Sequence, residues 1–147
     1  MDIREIYTEI ITEESRNTKN KRYLEHPTHE EKGHNPSCGD EITLQLDIED
    51  GIIKDASYVG VGCAISQAST SLMIDLIKGK TLDEAKELCE TFLAMITEGL
   101  EGDELKKLKD AIALQNISTM PARVKCATLS WHSLKVIVEK SGKWENK

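Results

Sequence analysis

Apolar residues recur along this chain at two spacings, every three to four residues and every second residue, and the switches between them mark its elements. Ile3, Ile6, Tyr7, Ile10 and Ile11 share one helical face, which predicts a helix from Asp2 to about Ser15. Asp2 and Glu5 have capping-box spacing, and core packing accounts for the stripe. From Arg16 to Asn35 the rhythm disappears, and Asn17, Asn20, Pro27, Gly33 and Asn35 punctuate a polar loop. Ile42, Leu44, Leu46 and Ile48 then alternate with Glu41, Thr43, Gln45 and Asp47, as in a half-buried strand. Asp50-Gly51 is a hairpin signal. The return strand, about Ile52 to Val61, carries Ile53, Ala56, Tyr58, Val59 and Val61 in a less regular alternation.

The helical rhythm resumes near Ala64 with Ile65, Ala68, Leu72, Met73, Leu76 and Ile77, and Gly79 closes it. Thr81 to Glu84 is a capping box that opens the next helix, with Leu82, Ala85, Leu88, Cys89, Phe92 and Ile96 inward. After the glycines at 99 and 102, a helix is predicted over 103–115. Leu105, Leu108 and Ile112 face inward, and Lys106, Lys107 and Lys109 form a solvated face that is also the one local basic patch. Pro121 suits a first helical position. The last helix runs to about Lys140, with Ala122, Cys126, Leu129, Ser133, Val136 and Ile137 on one face, Trp131 and Leu134 on a second apolar surface, and a polar tail beyond. These elements predict one α+β domain over 1–147, with an N-terminal helix at 2–15, a polar loop at 16–35 and a core at 36–140. Its architecture is a short antiparallel sheet with helices on one face.

Charge and cysteine usage narrow the function. A formal net charge of −7 argues against nonspecific nucleic-acid binding, which needs basic patches. No apolar run is long enough to cross a membrane, and Met1-Asp2-Ile3-Arg4-Glu5 is too charged for a secretory signal. The expectation is a cytoplasmic protein whose four cysteines are thiols or metal ligands.

Those cysteines differ in setting. In Asn35-Pro36-Ser37-Cys38-Gly39-Asp40 a thiol and a carboxylate flank a glycine. In an extended segment they point the same way, and the glycine allows close approach of another atom. A thiolate beside a carboxylate calls for a cation, so this stretch reads as half of a metal site. Cys63 follows Gly60-Val61-Gly62 at a strand end and helix N-terminus, where free N–H groups favour a thiolate. Cys126 falls in the first or second turn of the last helix, whereas Cys89 sits mid-helix on a buried stripe and reads as core. Cys38, Asp40, Cys63 and Cys126 form a set competent for zinc, or for an iron–sulfur cluster. Placement at element ends leaves open whether they share one site. His26, His29 and His34 read as solvated loop residues, with His34 the nearest to Cys38.

Three stretches carry a resemblance: residues 35–40, Gly62-Cys63-Ala64-Ile65-Ser66-Gln67-Ala68-Ser69, and Pro121-Ala122-Arg123-Val124-Lys125-Cys126-Ala127-Thr128-Leu129-Ser130-Trp131. They resemble the SufU/IscU family of iron–sulfur cluster assembly proteins over essentially the whole domain. The resemblance implies a zinc site made by Cys38, Asp40, Cys63 and Cys126, and partnership with a SufS-like cysteine desulfurase and downstream iron–sulfur assembly proteins. Lys125, where scaffold-type members carry histidine, and an insertion over roughly 98–118 favour the SufU branch. On that branch the protein is a zinc-dependent sulfurtransferase that accepts persulfide sulfur on Cys38. The alternative is a scaffold on which a [2Fe-2S] or [4Fe-4S] cluster is assembled, and a third reading gives zinc only a stabilising role. Arg123 and Lys125 either steady an anionic sulfur or Asp40, or are solvated surface charges.

Overall fold

The two-residue alternation of 41–48 belongs to the central strand of a three-stranded antiparallel sheet. The structure, a computed structural model, describes residues 3–142, with the side chains of the first helix described from Thr8 onward. In chain order its elements are α1 (Ile3–Arg16), β1 (His29–Asn35), β2 (Asp40–Glu49), β3 (Ile52–Val61), α2 (Ala64–Ile77), α3 (Leu82–Thr97), a 3₁₀ stretch (Asp103–Thr119) and α4 (Pro121–Lys140). The expected Asp2–Glu5 capping box, the side chains of Ile3, Ile6 and Tyr7, and residues 143–147 of the tail lie outside the described residues. The architecture is the expected α+β sheet with helices.

Two expectations need correction. The polar loop at 16–35 contains a strand: β1 pairs along β2 from His29 opposite Leu46 to Asn35 opposite Asp40. Its sequence, HEEKGHN, has no hydrophobic residue to alternate. The backbone ladder and α4 hold it instead. Gly33 makes room for α4, since a Cβ there would lie 3.0 Å from Ser133 Oγ and 3.1 Å from Leu129. Lys140 adds an ion pair to Glu31 at 3.0 Å.

The helix expected at 103–115 is a longer 3₁₀ stretch, interrupted at Lys109 (φ 50°, ψ −127°). Its buried residues are Leu105, Leu108, Ala111, Ala113, Leu114 and Ile117, five of them three apart and Ala113 between. A 3₁₀ helix has about three residues per turn, so the three-residue spacing suits each segment on its own side of the Lys109 kink.

Elsewhere local chemistry explains the folds. Asp50 and Gly51 both have positive φ (54° and 75°), as a two-residue hairpin requires. A register shift after Asp47 makes β3 irregular, so Ile53 and Ala56, three apart, are both buried. The Thr81 hydroxyl accepts from Glu84 N–H while the Glu84 carboxylate accepts from Thr81 N–H, completing the expected capping box. α2 is buried on most sides, and small polar residues let neighbours approach it. Ser69 Oγ donates to Ala127 O at 2.6 Å and accepts from Trp131 Nε1 at 2.9 Å, tying α2 to α4. Trp131 and Leu134 belong to the main core, where Trp131 stacks on Phe92 with ring centroids 4.0 Å apart. Ala122 is exposed, and Leu129 and Val136 are half-buried. No described helix is long and apolar enough to cross a membrane.

Candidate metal centre

Three element ends meet at one end of the sheet, where β1 finishes and β2 begins. The β1–β2 turn, Pro36 to Gly39, carries Cys38, and Asp40 is the first residue of β2. Cys63 is the N-cap of α2, and Cys126 lies in the second turn of α4. The metal-ligating atoms of Cys38, Asp40 and Cys126 all lie within 4.8 Å of one another. Cys38 is half-buried and Cys126 fully buried, with their sulfurs 2.8 Å apart. Cys63 Sγ falls outside that group, but its thiol approaches Cys126 closely enough to shift it. The Cys126 thiol is pushed well above the ordinary thiol range, first by burial, then by contacts with Cys38, Cys63 and Asp40.

Asp40 is fully buried and held on both oxygens. Oδ1 accepts from Cys63 N–H at 2.8 Å and Ser66 Oγ at 3.1 Å. Oδ2 accepts from Asn35 Nδ2 at 3.4 Å, and the same amide reaches Cys126 Sγ at 3.7 Å. The carboxylate fits there because residue 62 is glycine. A Cβ at Gly62 would run into Ser66 Oγ and come within 2.9 Å of Asp40 Oδ1. Gly39 has a different role from the close approach expected of it. It takes φ +69°, with nothing within 4 Å of a would-be Cβ, and serves the turn itself. Cys38 and Asp40 therefore converge through a turn rather than an extended segment.

Arg123 stands over the thiols. It is exposed, and hydrogen bonding to Cys126, followed by the charges of Cys63, Cys126 and Cys38, raises its pKa. Lys125 is exposed and makes no hydrogen bond or ion pair to this cluster among the described residues. His34 is on β1, exposed and paired opposite Glu41, and neither it nor His26 nor His29 joins the metal-competent group among the described residues. Cys89 is core, as expected: fully buried, donating to Trp131 O at 3.3 Å, its pKa pushed up to about 12 by burial.

The donor set suits zinc, combining soft thiols with one carboxylate. The three acidic groups within 4.8 Å repel one another when ionised, and a divalent cation offsets that penalty. Sequence reasoning missed Asn35, read as loop punctuation, and Ser66. The available signal for Ser66 was its position three residues after the N-cap, where a hydroxyl meets free helix-end groups.

The family model described as NifU-like N terminal domain matches residues 6–143. This chain belongs to that family. Among NifU-like relatives it is 44% identical to the iron–sulfur cluster assembly scaffold protein IscU of Thermotoga maritima, over 92% of this chain and 94% of that protein. It is 40% identical to the zinc-dependent sulfurtransferase SufU of Bacillus subtilis, over 92% of this chain and 90% of that protein. The fold also matches the crystal structure of a protein assigned as an iron–sulfur assembly scaffold for the SUF system of Fervidobacterium islandicum AW-1. That match has a TM-score of 0.83 and 39% identity, and covers 90% of this chain and 96% of that one.

Proposed function

We propose that this protein is a zinc-dependent sulfurtransferase of iron–sulfur cluster biogenesis, acting in the cytoplasm on sulfur from a SufS-like cysteine desulfurase. The carrying observation is the convergence of Cys38, Asp40 and Cys126 within 4.8 Å, in a chain 40% identical to a zinc-dependent sulfurtransferase. Cys38, Asp40, Cys63 and Cys126 hold the ion. Bound zinc keeps the thiols deprotonated at neutral pH.

Cys38 is the acceptor. It lies on a turn and is half-buried, whereas Cys63, equally half-buried, caps α2 and Cys126 is buried within α4. Its thiolate attacks the outer sulfur of the desulfurase persulfide. The new S–S bond forms on Cys38 as the old one breaks, and the desulfurase cysteine leaves as a thiolate. The product is a Cys38 persulfide, with no net oxidation. Arg123 supplies positive charge beside the sulfurs throughout.

A scaffold role is the second reading, favoured by the 44% identity to an IscU scaffold. A desulfurase assay with cysteine and a thiol reductant separates them. Zinc-loaded protein is expected to accelerate sulfide release, while Cys38→Ala and metal-stripped protein do not. Undiminished stimulation by Cys38→Ala rules out Cys38 as acceptor. Anaerobic reconstitution that yields a stable cluster able to activate an apo-enzyme establishes the scaffold reading instead.

A further inference from the structure

We propose that Asn35 is a positioning residue that keeps Asp40 and Cys126 in place while Cys38 leaves the metal. This rests on the relay reading above. The Asn35 amide nitrogen has two hydrogens and two acceptors, Asp40 Oδ2 at 3.4 Å and Cys126 Sγ at 3.7 Å. Its side chain is therefore a cross-link between a carboxylate on β2 and a sulfur on α4.

Its placement is rigid. Asn35 is 5% exposed and ends β1 directly opposite Asp40 in the ladder. Its own carbonyl accepts Cys38 N–H at 3.3 Å, so one residue bridges the backbone of the turn and the side chains behind it.

The chemistry of an amide suits the task. It donates to two anionic acceptors without adding a cation that would repel a metal ion. Unlike aspartate or histidine, it adds no competing ligand of comparable strength.

The hydrogen bonds divide the ligand set unequally. Asp40 has Cys63 N–H, Ser66 and Asn35; Cys126 has Asn35 and Arg123. Among the described residues, Cys38 Sγ is held by one hydrogen bond, from the Cys126 thiol at 2.8 Å. Detachment of Cys38 thus removes one ligand and leaves the remaining donors oriented.

The test is a comparison in two backgrounds. Zinc affinity is measured by competition with a chromophoric chelator for the natural sequence, Asn35→Ala, Cys38→Ala and the double variant. Outer-shell partners are worth about 10- to 100-fold in metal affinity. Asn35→Ala is expected to cost about 10-fold with Cys38 present and about 100-fold with Cys38→Ala, where the metal depends on the residues Asn35 holds. Cobalt-substituted samples are expected to lose sulfur-to-cobalt charge-transfer intensity in the double variant relative to Cys38→Ala, a signature that a general loss of stability does not produce.

Equal losses in both backgrounds, or an unchanged cobalt spectrum, overturn the proposal. If Asn35→Ala does not fold, Asn35→Ser, which keeps a single donor, is expected to show the same background dependence at smaller size, and its absence is equally fatal. Failure of the metal reading itself is distinguishable: zinc binding would then be insensitive to Cys126→Ser.

Discussion

Replacing Gly62 with alanine tests whether the Asp40 clamp depends on close packing against the chain before α2. Gly62 is outside the left-handed region, so its backbone accepts alanine. The new methyl would occupy the space of Ser66 Oγ and press on Asp40 Oδ1 at 2.9 Å. Ser66 is the side chain able to move, and rotating it away breaks its 3.1 Å bond to the carboxylate. A hydrogen bond to a charged group contributes about 1.5–3 kcal/mol. Restricting the unfolded chain returns about 0.4–1 kcal/mol. The expected net destabilisation is about 1–2 kcal/mol. With a urea slope of about 2 kcal/mol/M, the metal-free midpoint falls by about 0.5–1 M. Zinc affinity falls by about 10-fold, because the carboxylate loses one of its orienting donors. Gly39→Asn is the control: asparagine tolerates positive φ, and a Cβ there would meet nothing within 4 Å beyond its chain neighbours. It is expected to cost less than about 1 kcal/mol. A Gly62→Ala midpoint within about 0.1 M of the natural protein, with zinc affinity changed less than about twofold, would refute the packing argument.

The thiols should separate by exposure and by pKa. In metal-free folded protein, iodoacetamide is expected to alkylate Cys38 and Cys63, which are half-buried, and to spare Cys126 and Cys89 until denaturant is added, as peptide mass mapping would record. Because burial raises Cys89 to about 12, its reactive thiolate stays scarce as pH rises through 8 to 10, so alkylation of Cys89 in that window would contradict its place in the core. Lys109 holds φ 50° and ψ −127°, a region that suits glycine. Lys109→Gly is therefore expected to raise stability by about 1 kcal/mol in urea unfolding, and a loss of stability would show that its side chain matters more than its backbone.

The parts legible in the sequence are those where burial writes the pattern. Leu44 and Leu46 alternate because one face of β2 is dry, and Cys89 falls on a helical stripe because it is packed against α4. The Asp50-Gly51 hairpin and the Thr81 capping box are equally readable, since each depends on a few neighbouring residues. β1 was illegible because its stabilisation comes from a ladder to β2 and from α4, both distant in sequence. The 3₁₀ stretch was illegible because its buried residues, spaced mostly by three, are split by the backbone kink at Lys109, which no local residue pattern announces. In the site, Cys38 and Asp40 were recognisable from their proximity in the chain. The partnership of Asn35 with Cys126, 91 residues apart, has no local signature.

The arrangement also explains why a relay would use the turn cysteine. Moving Cys63 would disturb the start of α2, since its carbonyl accepts Gln67 N–H at 3.1 Å and its N–H is committed to Asp40. Moving Cys126 would displace a turn of α4, whose position is fixed by the Gly33 contact on one side and the Ser69–Trp131 bond on the other. Either motion sacrifices several hydrogen bonds at about 1 kcal/mol each. Cys38 is tied by one backbone bond to Asn35 and is followed by a glycine already in the left-handed region. Its side chain turns outward by rotation about one or two bonds, while the strand ladder below it stays closed at the Asn35–Asp40 pair. In the proposed relay the same geometry that would let Cys38 depart would hold Asp40 still, giving the moving ligand and the fixed one opposite mechanical roles two residues apart.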